Sequence, residues 1–458
     1  MSEPLLEGTA RAALGVVARA QATGRLPSVA AGVVREGALV WSAGRGTAVR
    51  AGSRERPGPD TQFKIGSVTK TMTAALVMLA RERGELALSD RVGRFLPDGP
   101  FAEATLRQLL SHSSGMTAEP HGSWWERSPG VDRAALVEAH RGAAPVLEPG
   151  AQFHYSNLGY GVLGEVVAEV TGLSWAEALR QQVLAPLGMQ RTTYDQQAPH
   201  AEGFAVDALT GELVAEPLPD TGVMAPAGQL WSTVADLATW LTALVDPDRS
   251  VLSAASLAAM RTPQAASPDS RDGSAYGLGL ATTSAGGRLL VGHGGSMPGF
   301  CCGVLVDVDS RVGAVVLTNG AYGLGGTVDE LLRTVLDREP ALPREWVPTR
   351  DVPDDVRELL GTWHWGHAPS VMRWDGRELR LDPASGPGRS MRFARGDEPG
   401  TWVGTAGYLT GETLRAVRRD DGSLSHLEAA TFVYTRVPYD PAAPIPGGVP
   451  REQPDRLR

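Results

Sequence analysis

Residues 63–70 read FKIGSVTK and run directly into TMTAALVMLA at residues 71–80. The second run favours helix and is apolar nearly all round, which predicts a buried helix that ends near Gly84. Ser67 and Lys70 are three residues apart, so they share one face of the first turn. A hydroxyl then meets an amine at the positive end of a helix, and this arrangement suits an activated nucleophile.

A capping serine beside a surface lysine would give the same spacing as an activated nucleophile. The lysine content of the chain argues against this alternative. The chain has 43 lysines and arginines, and only Lys64 and Lys70 are lysines. Arginine stays charged under ordinary conditions, whereas a lysine in a closed site can lose its proton. We therefore predict that Lys70 is the base that activates Ser67, and we treat Lys64 as incidental.

The composition is that of a soluble globular protein of two or three domains, with 458 residues, 42% of them hydrophobic and 21% charged. A net charge of −9 without a basic run argues against a nucleic-acid partner. The first residues lack the features of a signal peptide, and no apolar run has membrane-spanning length. The adjacent Cys301 and Cys302 cannot form an ordinary disulfide framework. These features predict a cytoplasmic protein without a membrane partner.

A second informative stretch, HYSNLGYGVLG, spans residues 154–164. Ser156 or Asn157 can cap the helix that follows, which places Tyr155 on a fixed loop directly before it. In that position Tyr155 could move protons and Asn157 could hold a substrate carbonyl. A capping asparagine beside a packed tyrosine explains the same pattern without any catalytic role.

The segment LLSHSSG at residues 109–115 predicts the end of a short helix, stopped by Gly115. A loop-like segment over residues 117–131 follows and carries Trp124 and Trp125. Two adjacent indole rings can hardly pack in the same place. The pair therefore either lines a site or belongs to a lid packed on the core.

A third stretch, VGHGGSM at residues 291–297, predicts a strand, and further antiparallel strands follow up to Thr318. Glycines inside a strand mark a close approach of the backbone to another group. That group could be substrate, with a strand N–H directed at its carbonyl oxygen. His293 would lie at the mouth of such a site, although a structural histidine is an equal alternative.

After residue 338 the residue pattern of the sequence changes. Four prolines punctuate a linker, and short strands with turns then follow at regular spacing, which predicts a small antiparallel barrel. Alternation in TFVYTRV (431–437) places Phe432, Tyr434 and Arg436 on one face. We predict a first domain over residues 1–338, a linker over 339–353, a barrel over 354–440 and an irregular tail over 441–458.

Three motifs stand in order along the chain: Ser67-Val-Thr-Lys70, Tyr155-Ser-Asn157 and His293-Gly-Gly295. Together they resemble the serine β-lactamase and penicillin-binding-protein superfamily, in its class C, DD-peptidase and esterase branch. The resemblance covers roughly residues 8–338. It implies an α/β (α+β) domain, with an antiparallel sheet flanked by helices and an all-α subdomain. The C-terminal part looks like the small lipocalin-like β-barrel attached to some members.

The resemblance implies that Ser67 attacks a carbonyl carbon and forms an acyl-enzyme. It also implies that Lys70 and Tyr155 move the proton of the serine hydroxyl. The N–H groups of Ser67 and Ser296, the latter beside Gly295, would form the oxyanion hole. No metal and no other cofactor is implied.

The same resemblance gives Asn157 and His293 the task of positioning the substrate and protonating the leaving group. His293 stands where true β-lactamases have the lysine that meets the carboxylate of a β-lactam. This departure puts lactamase activity in doubt and favours ester, thioester or peptide substrates.

Within the superfamily the sequence looks most like the penicillin-binding-protein-type thioesterases, which release and macrocyclise nonribosomal peptides from a carrier protein. In these enzymes the barrel is thought to approach the serine, and Arg436 would then hold a peptide carbonyl or a carboxylate. A D-stereospecific peptidase or esterase is the first alternative. A non-catalytic sensor that binds a peptide or is acylated once is the second.

Overall fold

The computed structural model describes residues 3–267, 270, 273–340, 346–348, 351–438 and 446. The chain forms two compact units, with the division between residues 342 and 343. Each unit has a hydrophobic core of its own and is described by itself. The linker predicted over residues 339–353 is described only in part. Apart from residue 446, the predicted tail lies outside the described residues.

The first unit is built on a seven-stranded antiparallel sheet. Its strands, in spatial order, are Ala38–Arg45, Val29–Arg35, Val312–Thr318, Phe300–Asp307, Arg288–Met297, Ala281–Ala285 and Ser274–Tyr276. Two short pairs lie outside this sheet: Phe63–Lys64 with Trp231–Ser232, and Phe204–Val206 with Leu213–Ala215. The N-terminal hairpin pairs with the last strand of the unit, so both ends of the unit are fixed in one sheet.

Helices cover both faces of this sheet. Along Val29–Arg35, alternate side chains enter two different hydrophobic cores, because successive residues of a strand point to opposite faces. The helices of this unit are Glu7–Thr23, Thr69–Glu82, Leu106–Leu110, Arg133–Ala139, Asn157–Thr171, Trp175–Leu179, Ala225–Gly228, Val234–Ala243, Ala254–Arg261 and Thr327–Arg338. The first and the last pack together on one face, and the others contribute to the larger core. Throughout the described residues, no helix has the length and apolarity needed to cross a bilayer.

The helix Thr69–Glu82, hereafter the nucleophile helix, confirms the predicted buried helix. Its residues are buried without a break from Thr69 to Met78, and the chain leaves it at Gly84 with a φ of +73°. The short helix predicted to stop at Gly115 instead ends at Leu110. It stops early because His112 adopts a left-handed backbone conformation with a φ of 54°, which a continuing helix excludes.

The second unit is an eight-stranded antiparallel barrel, and this confirms the predicted fold class of the chain. A short helix, Asp354–Arg357, precedes the strands Gly361–Trp365, Ala368–Trp374, Leu379–Pro383, Met391–Arg395, Thr401–Ala406, Thr413–Arg418, Leu424–Ala429 and Phe432–Tyr434. The first and last strands meet through two backbone hydrogen bonds between His364 and Thr435, at 2.7 and 2.9 Å. Buried side chains, among them Trp363, Phe393 and Trp402, fill the interior. The barrel is therefore a packed core, and its likeness to lipocalins remains an expectation.

Arg436 lies just beyond the last strand, which ends at Tyr434, so strand alternation does not place it on the face of Phe432. Its guanidinium stacks 3.9 Å from the ring centre of Trp363 and donates to backbone carbonyl oxygens of the same unit, at Glu358, Leu360 and Thr362. The fork of donors that was expected to hold substrate is therefore used in contacts with the backbone of the barrel unit. This arrangement favours a structural role, and a contact of Arg436 with substrate stays a prediction.

Candidate active site

The candidate active site forms where the nucleophile helix begins. Ser67 lies in a 3₁₀ turn, Gly66–Val68, directly before the first residue of that helix. Within residues 61–78 it is the only residue that is not buried. Its Oγ lies 2.9 Å from Lys70 Nζ. An accessible hydroxyl on an otherwise buried segment, in contact with an amine, has the geometry of a nucleophile with its base.

Lys70 is completely buried, and its amine has three hydrogen-bond partners. Besides Ser67 Oγ, these are Asn157 Oδ1 at 2.6 Å and the carbonyl oxygen of Ala227 at 2.7 Å. Burial lowers the pKa of Lys70 from its usual 10.5 to about 7, against the opposing influence of Glu119 and Glu126. Near pH 7 a large fraction of the amine is therefore neutral and able to accept the proton of Ser67.

Tyr155 packs beside the same amine, with its ring centre 5.0 Å from Lys70 Nζ. Burial raises the pKa of its phenol well above the ordinary value, and a hydrogen bond with the Ser67 side chain offsets only part of this effect. The phenol is therefore protonated at neutral pH. It can donate a proton towards the reacting centre, whereas Lys70 is the group that can accept one.

Asn157 is the first residue of the helix Asn157–Thr171, which Ser156 caps by accepting a hydrogen bond from the backbone N–H of Gly159. The side-chain amide of Asn157 is fixed at both ends. Its Oδ1 accepts from Lys70, and its Nδ2 donates to Glu119 Oε1 at 2.7 Å. The two contacts hold the amide in one orientation, because a flipped amide would set an oxygen against a carboxylate.

Glu119 extends this chain of contacts to the tryptophan pair, and no sequence pattern singles it out. Its second oxygen accepts a hydrogen bond from Trp125 Nε1 at 2.7 Å. The Trp125 ring is buried and packs against Gly228, beside Gly66. Trp124 is 61% exposed, and its indole N–H donates to Glu126 at 3.0 Å. The two rings therefore occupy different environments, one buried against Gly228 and one exposed on the loop.

The strand Arg288–Met297, hereafter the site strand, passes close to the serine turn. A methyl group on Gly295 would lie 2.0 Å from the carbonyl oxygen of Ile65, and one on Gly66 would lie 2.6 Å from the backbone nitrogen of Ser296. Glycine is thus needed at both positions. The neighbouring strand Ala281–Ala285 pairs with the site strand only as far as residue 292. Within the described residues, this leaves positions 293–297 with a free edge beside Ser67, where a strand N–H can face a substrate carbonyl.

Residues 15–337 match the family model described as Beta-lactamase. The chain belongs to that family. Residues 352–436 match a second model, described as Domain of unknown function (DUF7586). The barrel thus has a sequence family of its own, whose description assigns it no role.

Named relatives of this Beta-lactamase family chain include penicillin-binding protein 4 of Amycolatopsis lactamdurans. It is 33% identical over 328 residues, which are 66% of this chain and 84% of that protein. Penicillin-binding protein 4* of Bacillus subtilis (strain 168) is 26% identical over 56% of this chain and 60% of its own length, so the chain spans under two thirds of it. Among solved structures, SurE with D-Leu is 25% identical with a TM-score of 0.58, over 94% of this chain and 100% of that one.

The expected place of His293, at the mouth of the site, is corrected by the structure. Its ring is 8% exposed, Nε2 contacts the Tyr276 hydroxyl at 2.9 Å, and Nδ1 contacts the carbonyl oxygen of Gly294. Burial lowers the pKa of His293 to about 4, so the ring is neutral at pH 7 and donates through Nδ1. Both ring nitrogens are then engaged within the protein. A proton transfer from His293 to a leaving group stays a prediction that this arrangement does not favour.

We expect the protein to turn over penicillins and cephalosporins poorly. His293 replaces the motif lysine and is neutral at pH 7, so it cannot offer the positive charge that a β-lactam carboxylate would meet. The measurement is steady-state hydrolysis of nitrocefin. Turnover on the order of 10² per second, a rate typical of efficient enzymes, would contradict this expectation.

Two aromatic residues that the sequence did not single out complete the wall behind Tyr155. The centre of the His112 ring lies 4.1 Å from the centre of the Tyr155 ring and 4.6 Å from that of the Tyr276 ring. Its Nδ1 accepts a hydrogen bond from the backbone N–H of Ser156. This stack fixes Tyr155 from behind. His112 lies in the segment 109–115, whose pattern predicts the end of a helix, and Tyr276 stands in no recognisable pattern.

Lys64, treated as incidental in the sequence, is a buried residue that does not reach the serine. It is 2% exposed, and its amine contacts Gln229 Oε1 at 3.4 Å. Gln229 Oε1 also accepts a hydrogen bond from the Thr221 hydroxyl at 2.9 Å. The side chain of Gln229 therefore stabilises the segment that carries the Ala227 carbonyl. Both lysines of the chain are therefore buried near the site, but only Lys70 reaches the serine.

Proposed function

We propose that the chain is a serine acyl-transfer enzyme that releases peptidyl or acyl groups from thioesters or esters through an acyl-enzyme on Ser67. The observation that carries the proposal is the 2.9 Å contact between Ser67 Oγ and a buried amine whose pKa is about 7. Lys70 accepts the hydroxyl proton as Oγ bonds to the carbonyl carbon. The carbon–sulfur or carbon–oxygen bond then breaks, and the proton that Lys70 took from Ser67 passes through Tyr155 to the leaving group, so both residues return to their starting protonation states.

We further propose that the acyl-enzyme is passed either to water or to an amine of the same substrate. The second outcome closes a macrocycle, as in the penicillin-binding-protein-type thioesterases that the sequence resembles. A carrier-protein domain would then be the partner that delivers the substrate. The solved structure of SurE with D-Leu, to which this chain is similar, supports a substrate that contains a D-configured residue.

A D-stereospecific peptidase or esterase is a second candidate, because the same site could release an amine or an alcohol with water as the acceptor. The carboxylate of Glu119 beside Asn157 favours it, since it could hold the free amine of an amino-acid substrate. Both candidates share the acyl-enzyme and differ in the acceptor. A sensor that is acylated once would give a burst without turnover.

Mass spectrometry of the products tests these proposals. The probe is a synthetic peptidyl thioester of N-acetylcysteamine with a D-residue at its C-terminal end, and its L-epimer is the control. A linear peptide acid indicates hydrolysis. A product lighter than this acid by one water indicates cyclisation. If neither epimer yields a product or leaves an acyl group on Ser67, the proposed function is wrong.

A further inference from the structure

We propose that Glu119 binds a primary ammonium group of the substrate and so selects substrates with a free amine. The inference rests on the proposed acyl-transfer function, because it places the contact beside the nucleophile. The amine is either the α-amine of an aminoacyl substrate or the N-terminal amine of a longer peptide. Both sources offer the same ammonium chemistry, and the experiment below separates them.

The position of the Glu119 carboxylate is the first argument. It lies one side chain away from the base, because Asn157 contacts Lys70 Nζ at 2.6 Å with its oxygen and Glu119 at 2.7 Å with its nitrogen. Trp125 holds the second carboxylate oxygen at 2.7 Å. Each oxygen thus accepts one protein N–H, whereas a carboxylate can accept about four hydrogen bonds. Glu119 is an exposed residue, so this remaining capacity is open to a bound molecule.

The second argument is that Glu119 has no cationic partner. In the part of the chain that the structure describes, no arginine, lysine or histidine nitrogen lies within 4.0 Å of its carboxylate. Glu126, on the same loop, likewise forms no ion pair there, and its side chain accepts only the Trp124 indole N–H. Arg127, the next residue, pairs with Glu216 instead. A substrate ammonium would supply the missing charge.

The third argument concerns what a carboxylate excludes. Asn157 Nδ2 points at Glu119, so the group beside it is a hydrogen-bond acceptor with a full negative charge. A substrate carbonyl oxygen or carboxylate in the same place would be repelled by the negative charge of Glu119. A substrate ammonium could instead donate hydrogen bonds to it. The neutral state of His293 removes the other cation that an anionic substrate could use. The charges of the site therefore favour cationic over anionic substrates.

Binding an ammonium at Glu119 would also act on the base. Glu119 raises the pKa of Lys70 in the free protein, against the larger effect of burial. A substrate ammonium compensates this negative charge, so the pKa of Lys70 falls when the substrate binds. A larger fraction of the amine is then neutral when Ser67 must lose its proton. The substrate that carries the amine thereby assists its own acylation.

The test compares kcat/KM for two matched pairs of N-acetylcysteamine thioesters. One pair is D-leucyl and N-acetyl-D-leucyl, and the other is a tetrapeptidyl thioester ending in D-Leu, with a free or an acetylated N-terminus. In one pair we expect the free amine to be preferred at least about tenfold, as fits a hydrogen bond to a charged group. The pair that shows the preference identifies the source of the amine.

The variant Glu119→Gln keeps the shape of the side chain and removes its charge. We expect it to lower the preference for the free amine by about tenfold. It should also move the acid limb of the pH profile for the acetylated substrate to lower pH, because the influence that raises the pKa of Lys70 is lost. Glu126→Gln is the matched control, since it removes a charge from the same loop without touching Asn157. We expect it to leave the preference within about threefold.

Three outcomes decide the inference. A wild-type protein that prefers the acetylated substrates, or shows no preference in either pair, overturns it. An equal loss on free and acetylated substrates in Glu119→Gln also overturns it, because Glu119 would then only position Asn157. The intact mass of the protein after mixing keeps this result apart from the proposed function: acylation of Ser67 by both members of a pair upholds that function even if Glu119 does not discriminate.

Discussion

Ser67→Ala is expected to abolish turnover while leaving the fold intact. Ser67 is the only residue of the segment 61–78 that reaches the surface, so its hydroxyl is the group that a substrate can meet. Its removal costs little stability, because Lys70 keeps its contacts with Asn157 and Ala227. We expect kcat/KM to fall by on the order of 10⁴-fold or more, as is typical when a nucleophile is removed.

A labelled fluorophosphonate makes this prediction specific to the residue. It should modify the wild-type protein at Ser67 and leave Ser67→Ala unlabelled, with the melting temperature of the variant as the control for folding. Ser111 and Ser113 serve as internal controls for labelling. They should stay unlabelled, because they are buried and hydrogen-bonded to each other at 2.9 Å. Labelling at another serine, with Ser67→Ala still active, would refute the whole assignment of the site.

The contact between Ser67 and Lys70 could be predicted because the two residues are close in sequence. Ser67 and Lys70 are three positions apart, and helical spacing alone brings them together. Asn157 follows from its motif, and the cap at Ser156 gives it a fixed place at the start of a helix. The barrel was predictable for a similar reason, since alternation and turns repeat along its sequence.

The remaining contacts depend on residues that are distant in sequence. Glu119 meets Asn157 across 38 positions, and Tyr276 meets His293 across 17. Neither partner belongs to a periodic pattern, so only tertiary packing reveals them. The burial of His293 was missed for this reason, because the strand that carries Tyr276 lies two strands away in the sheet. Arg436 follows the last strand by two residues, so strand alternation could not show that its guanidinium contacts the backbone of its own unit.

Lys70→Arg is expected to be nearly as damaging as Lys70→Ala. The site requires an amine that can be neutral, and arginine keeps its charge under all ordinary conditions. General-base catalysis typically contributes 10²–10⁴-fold, so we expect both variants to lose on the order of 10³-fold in kcat/KM. For the wild type, kcat/KM should rise as pH increases through about 7 and then level off, because deprotonated Lys70 is the active form.

Lys64→Arg is the matched control, because it makes the same change at the second buried lysine, which does not reach Ser67. We expect it to lower the melting temperature, since the larger side chain enters a site that is 2% exposed, while the folded fraction keeps its kcat. A comparable loss of kcat in Lys64→Arg would mean that replacing any buried lysine disturbs the site, and the contrast with Lys70 would then carry no information.

Chemical rescue separates the chemical role of Lys70 from its packing role. Its truncation to alanine vacates the space beside Ser67 Oγ, where Lys70 Nζ makes its 2.9 Å contact. A small primary amine such as ethylamine, added to Lys70→Ala, should restore part of the activity as its neutral form increases with pH. Guanidine fills similar space but stays protonated, so it should not restore activity. Equal rescue by both compounds, or near-normal activity in Lys70→Arg, would show that Lys70 contributes only positive charge and that another group takes the proton of Ser67.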